Sequence, residues 1–248
     1  MDQNKDEKIQ DQGIVVKKSG FAAWLDNFWY HYKWGFIGVV VAAVILFVCI
    51  AQSCSKREED ILIVYAGPAY MSQTELASVV EVMSNAMPRD FDNNGDKFAT
   101  MDTFQIYSEE QIKKITSETD SEGKAGYVDR NRNSNNFDQY NKYVLTGDSS
   151  VYLLDPSLYE TLKNNNRLCK LSDVLAGIPN GAIDEYGVRL GDTALYAEYG
   201  VMKVLPEDTV VCIARPFVAG GKSSKEKYYV REKEMFAAIV DASLITEE

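Results

Sequence analysis

One run, residues 34–51 (WGFIGVVVAAVILFVCIA), constrains this chain more than any other: eighteen residues with no charge and nothing more polar than glycine or cysteine. At the helical rise it covers about 27 Å, close to the hydrocarbon thickness of a bilayer. We expect a membrane-spanning helix over residues 34–54. A cleaved signal peptide fits poorly, because 33 residues precede the run and its apolar core exceeds the usual length of about 7–15.

The spanning helix divides the chain. Residues 1–18 are polar, lack an apolar face and are expected to be a disordered cytoplasmic tail. Residues 19–33 (SGFAAWLDNFWYHYK) place Phe21, Trp24, Leu25, Phe28 and Tyr32 at helical spacing on one face, predicting an interfacial aromatic helix. Its rings serve as an aromatic belt or as a contact surface for another membrane protein. Lys17, Lys18 and Lys33 flank the N-terminal side against Lys56 and Arg57 on the other, so the expected topology is single-pass in the cell membrane, with the N-terminus inside and the C-terminal domain outside. The residues AQSC at 51–54 loosely resemble a lipoprotein processing site, which offers Cys54 as an alternative lipid anchor. Residues 55–60 (SKREED) form a short charged linker that keeps the domain near the membrane.

Composition excludes several activities for residues 61–248. The net charge of -11 falls entirely after the apolar run, since residues 1–33 carry five basic and five acidic side chains. Such a tail repels phosphate backbones, so nucleic acid is not an expected partner. The single histidine, His31, precedes the run, leaving the domain without a histidine base, a Ser-His-Asp triad or a histidine-ligated zinc. The cysteines Cys49, Cys54, Cys169 and Cys212 show no CxxC spacing.

Within the domain, apolar strands alternate with capped helices. ILIVYAG at 61–67 reads as a buried strand. Ser72 caps a helix, KFATMDTFQIY is a second strand, and Ser108 opens another helix. Residues 119–136 are polar, Asn-rich and expected to be an exposed loop. A helix ending at Gly147, the strand SSVYLLD and a helix opened by Pro156 follow. A short strand near 168, a possible hairpin at 179–192, the strand TVVCIARP and a closing amphipathic helix complete the pattern. The expectation is an α/β fold with a mainly parallel sheet flanked by helices.

The segment FDQYNKYVLTGDSSVYLLDPSLYETLKNNNRLCKLSDVL (137–175) resembles extracellular solute-binding proteins of bacterial transporters: a helix ending in a glycine-acid turn (Leu145 to Asp148), an apolar strand ending in Asp155, a helix from Pro156, and Leu171-Ser172-Asp173. Such proteins have two lobes that close like a hinge. About 190 residues make one elaborated lobe, so the resemblance implies a single-lobe, membrane-anchored relative with a lobe-like fold but without the second wall of a closing cleft; its ligand is left open, the partner being another membrane protein or a small solute.

Asp90-Phe91-Asp92-Asn93-Asn94-Gly95-Asp96 matches the first half of a calcium loop, making Asp90, Asp92, Asn94 and Asp96 candidate ligands. Alternate oxygens surround the ion and glycine permits the turn. The twelfth position is Met101 instead of a bidentate acid, with Asp102 one place late. A plain acidic turn explains the same residues. Cys169 and Cys212 are two buried thiols or, in an exported domain, a bridge closing a loop of about 43 residues. The acid pairs Asp184-Glu185 and Glu207-Asp208 read as solvated surface. Gly221-Lys222-Ser223 copies the end of a phosphate loop but lacks its first glycine, where Pro216 stands. Tyr196, Tyr199, Tyr228 and Tyr229 read as packing or as a ligand surface.

The expected function is a membrane-anchored extracytoplasmic binding or interaction module. The alternatives are an accessory subunit acting through its transmembrane helix and, from a different class, a carboxylate-dependent enzyme.

Overall fold

The computed structural model describes residues 20–54, 59–118, 125–215 and 222–241, and places side chains in these ranges except at 22, 23, 26, 52–54 and 222–228. The expected tail at 1–18, most of the 55–60 linker, the Cys54 side chain, Gly221 and the Lys222 and Ser223 side chains lie outside what is described, while the backbone of Lys222 and Ser223 opens the last helix instead of continuing a loop. The chain divides into two compact units, Met1–Arg57 and Glu58–Glu248.

In the first unit, the segments expected as an interfacial helix and a spanning helix form one unbroken helix, α1 (Gly20–Cys54). No proline interrupts it, and an isolated glycine such as Gly35 or Gly38 costs roughly 1 kcal/mol without opening the ladder. Its most apolar eighteen-residue window, within Asn27–Ala51, has a mean hydropathy of 2.8 and is not buried. By length and composition this helix can cross a membrane, a property it shares with signal sequences.

The second unit is an α/β domain. β1 (Ile61–Gly67), α2 (Gln73–Ala86), β2 (Ala99–Gln105), α3 (Glu109–Ser117), α4 (Arg130–Thr146), β3 (Val151–Leu154), α5 (Pro156–Asn164), β4 (Gly187–Arg189), α6 (Ala194–Glu198), β5 (Val210–Ile213) and α7 (Lys222–Asp241) follow in order. The sheet order is β2-β1-β3-β5-β4. β1 is parallel to both β2 and β3, while β5 is antiparallel to both β3 and β4. Four strands therefore run one way and β5 runs against them. The sheet is mostly parallel, as expected, with one reversed member.

Alternation along the central strands makes two cores. Ile63, Tyr65, Val151, Leu153, Val211 and Ile213 face one side, where Val79, Met83, Phe236 and Ile239 of α2 and α7 cover them. Val64, Ala66, Tyr152, Leu154, Val210 and Cys212 face the other, with Tyr140 of α4 and Leu158 and Leu162 of α5. A fully buried side chain of this size contributes about 1.5–3 kcal/mol, so central strands apolar on both faces are strongly held.

Helix ends follow local chemistry. Ser72 with Glu75 and Ser108 with Gln111 form capping boxes on α2 and α3. Asp155 caps α5 with Pro156 behind it, and Gly147 ends α4 in the left-handed conformation at φ 64.

The expected loop at 119–136 is corrected at its C-terminal end, because Asp129 caps α4 at Arg130 by accepting from the Asn131 and Arg132 backbone N–H groups. Its asparagines act at long range. Asn133 accepts from the Tyr107 backbone N–H and donates to the Tyr107 carbonyl, and Asn136 donates to the Gln105 carbonyl. The exit of edge strand β2 is thereby covered. The short strand expected near 168 is a single bridge from Leu168 to Ala214, and the hairpin at 179–192 is present as a bridge from Ala182 to Val188.

Candidate functional site

The predicted acidic residues fall together in the α2–β2 connection, at the end of the sheet where the parallel strands begin. Asp90 accepts through Oδ1 from the Asp92 and Asn93 backbone N–H groups, at 3.2 and 2.8 Å, and through Oδ2 from that of Gly95 at 2.7 Å. Asp92 accepts from the Asn94 N–H, and Asn94 from that of Asp96. The segment is a chain of Asx turns, in which Asn93 and Gly95 take φ values of 61 and 99. The Gly95 N–H, followed by its neighbours, holds the Asp90 carboxyl below the usual carboxylate range.

A fifth residue joins them that spacing did not suggest. Asp60, almost fully buried just before β1, accepts through Oδ1 from the Phe91 and Asp92 N–H groups and through Oδ2 from that of Phe98. One carboxylate oxygen each from Asp60, Asp90 and Asp92 lie within 4.8 Å of one another. Met101 is buried in β2, and Asp102 accepts from the Tyr143 hydroxyl at 2.6 Å, so neither completes the loop. The third carboxylate comes from Asp60 instead. Oδ1 of Asp60 and of Asp90 each take two N–H bonds, whereas their Oδ2 atoms take one each, from Phe98 and Gly95, and keep a second lone pair; hard oxygen donors of this kind suit calcium. The loop is fastened to α7: Arg89 makes a bidentate pair with Glu234 at 2.9 and 2.8 Å, and the guanidiniums of Arg89 and Arg231 lie 5.0 and 5.9 Å from the Phe91 ring.

At the opposite end of the sheet, the chain passes from β1 to β2 on one side and then to β3 on the other. The carboxyl ends of β1 and β3 therefore form a switch point, where open α/β sheets bind ligands. Tyr65, fully buried, accepts from the Ala69 N–H at 3.0 Å. A Cβ on Gly67 would stand 2.7 Å from the Tyr65 hydroxyl, so any side chain there must push the buried Tyr65 ring aside. Gln105 donates to the Pro68 carbonyl and to the Tyr107 hydroxyl. Gln111 donates to Asp155 at 2.8 Å, joining α3 to the start of α5. Tyr70 stands exposed beside them. Three helix N-termini face this end, but Glu75, Glu109, Glu110 and Asp155 occupy them, so the edge is not an anion cradle.

The remaining candidates resolve as structure. Cys169 and Cys212 are free and lie on opposite sides of the sheet: Cys212 belongs to the α4–α5 core, whereas Cys169 packs on the α2–α7 core with its sulfur 2.9 Å from the Tyr229 hydroxyl. A bridge between them is geometrically excluded. Asp184 is not simply solvated surface. It accepts from the Tyr159 hydroxyl and the Tyr186 and Gly187 N–H groups, and pairs with Lys163 at 2.8 Å. Glu185 pairs with Lys170, while Glu207 and Asp208 are exposed. Tyr196, Tyr199 and Tyr229 pack against the first core, and the Tyr228 side chain lies outside the described ones. Comparison with protein-family models, curated proteins and solved structures returned no match to this chain.

Proposed function

We propose that the chain is a single-pass membrane protein with a cytoplasmic N-terminus, whose extracytoplasmic domain is a binding module similar to one lobe of a solute-binding protein. The observation that carries this reading is the placement of one long apolar helix a few residues before an α/β domain with a switch point between β1 and β3. The ligand edge is the set Tyr70, Gln105, Tyr107 and Asp155. Its tyrosines, with Glu75, Glu109 and Glu110 at the neighbouring helix starts, favour a small solute that is cationic or uncharged and rich in hydroxyls over an anion.

A thermal-unfolding panel of sugars, amines and short peptides on the full chain in nanodiscs tests it. Stabilisation by one class, abolished by Tyr107→Ala, supports the module, and no shift across the panel removes small-solute binding. Protease added to intact cells checks the topology: a protected domain overturns the outward orientation.

A second reading concerns the acidic loop. We propose that Asp90, Asp92 and Asn94, with Asp60 and Asp96, take calcium weakly, in the roughly 0.1–1 mM range of extracellular modules. The clustering of the three carboxylates favours it. Calorimetry on the same preparation tests it, and absence of heat at millimolar calcium leaves only the turn.

A further inference from the structure

The apolar anchorage of α4 is thin for its length. Of its seventeen residues only Tyr140 is fully buried, whereas the fourteen-residue α2 buries Val79, Val82 and Met83 and the nine-residue α5 buries Leu158, Tyr159 and Leu162. A helix is held to a sheet mainly by its apolar stripe, so one with a single such residue opens at a lower free energy than its neighbours.

That anchor also carries a cost. Tyr140 packs on Phe104 and Tyr152, each with ring centroids 6.4 Å away, and its hydroxyl has no hydrogen-bond partner among the described residues. Docking α4 strips water from this hydroxyl and gives nothing back, while lifting it restores the water. The other ties are polar. Tyr143 donates to Asp102, Arg167 donates to the Val144 carbonyl at 2.9 Å, and Asn133 and Asn136 hold the backbone of Tyr107 and Gln105. Water can replace each of these. At its C-terminal end the chain leaves α4 through Gly147 at φ 64, a joint that turns with little steric hindrance.

We infer that α4 is a hinged cover on its face of the sheet, lifting as a unit about Gly147 while the strands stay paired. Tyr107 couples that motion to the switch point. Its N–H donates to Asn133 and its carbonyl accepts from the same side chain, whereas the adjacent Ile106 N–H is held by the Gly67 carbonyl at 2.8 Å. Opening of α4 therefore frees the Tyr107 backbone and leaves Ile106 in place. Control of the ligand edge, to which Gln105 and Tyr107 belong, rests on the binding reading of that edge; the opening itself does not.

Hydrogen exchange of the full chain in nanodiscs, read residue by residue by fragmentation mass spectrometry, tests the cover without any ligand. Tyr107 and the α4 amides from Tyr140 to Val144 are expected to exchange through one common opening, roughly a hundredfold faster than Ile106 and the β1 amides. Tyr140→Phe should slow Tyr107 and α4 together by about tenfold, because the docked state no longer carries a desolvated hydroxyl. Val79→Ala, in the opposite core, should speed β1 exchange by roughly tenfold and leave α4 and Tyr107 unchanged. Exchange of α4 as slow as that of β1 overturns the cover, as does a Tyr107 rate that Tyr140→Phe does not move. Acceleration of α4 equal to that of β1 in Val79→Ala also overturns it, since α4 then opens only with the whole domain. A flat thermal panel removes the small solute and leaves this exchange pattern intact, so the two readings fail separately.

Discussion

Asp60 Oδ1 lies 3.0 Å from the backbone nitrogen of Phe91, thirty-one residues further along the chain. With its bonds to Asp92 and Phe98, this buried carboxylate acts as the template on which the acidic loop is folded. Asp60→Ala removes the carboxylate that accepts from the Phe91 and Phe98 N–H groups and one of the two acceptors of the Asp92 N–H, and is expected to cost about 3–5 kcal/mol. Asp60→Asn should be nearly as damaging, because one side of the amide then presents a donor to a donor. Urea unfolding measures both, and a loss under about 1 kcal/mol would show that the loop holds itself.

Gly67 and Tyr65 make a tight pair at the switch point. Gly67→Ala pushes a methyl group against the Tyr65 hydroxyl and is expected to destabilise by about 1–3 kcal/mol. Tyr65→Phe removes the obstructing oxygen, so the double variant should be less unstable than the two single effects summed. Strict additivity would contradict the contact.

The Glu232 carboxylate of α7 accepts from the Ser150 N–H at 2.7 Å, and burial raises its pKa above the ordinary 4.5 despite that bond. The folded state therefore binds this proton more tightly than the unfolded chain. Its contribution to stability is fully present below the unfolded carboxyl pKa and is lost as pH rises through the folded one. Glu232→Gln keeps an acceptor for Ser150 without the buried charge. It should unfold at higher urea than the parent near neutral pH, with the difference shrinking as pH falls toward the unfolded carboxyl range. A pH-independent difference would contradict the assignment.

Tyr140 lies between Phe104, Phe137 and Tyr152, and its buried hydroxyl has no hydrogen-bond partner among the described residues. Tyr140→Phe removes a desolvated polar group and should be neutral or stabilising by up to about 2 kcal/mol, read from the urea midpoint. Destabilisation beyond about 1 kcal/mol would show that the hydroxyl has an acceptor in solution.

What the sequence disclosed was local. Ser72 and Ser108 cap helices whose partners stand three residues away, and ILIVYAG is apolar on both faces because helices cover both. α4 began earlier than expected because Asn133 and Asn136 look like loop residues until β2 is placed beside them. Asp60 escaped notice because its partners are distant in sequence. The reversal of β5 was equally illegible: VVCI is buried on both faces, and such a run reads the same whichever way the strand points.

β1 has a mechanical consequence. It is the first strand after α1, and it has seven register pairs with β2 on one side and four with β3 on the other. A force applied along the axis of this strand meets partners on both of its edges. Its rungs are then strained together in shear instead of peeling one after another. An interior strand held on both edges in this way yields to a lengthwise force only when both ladders give at once.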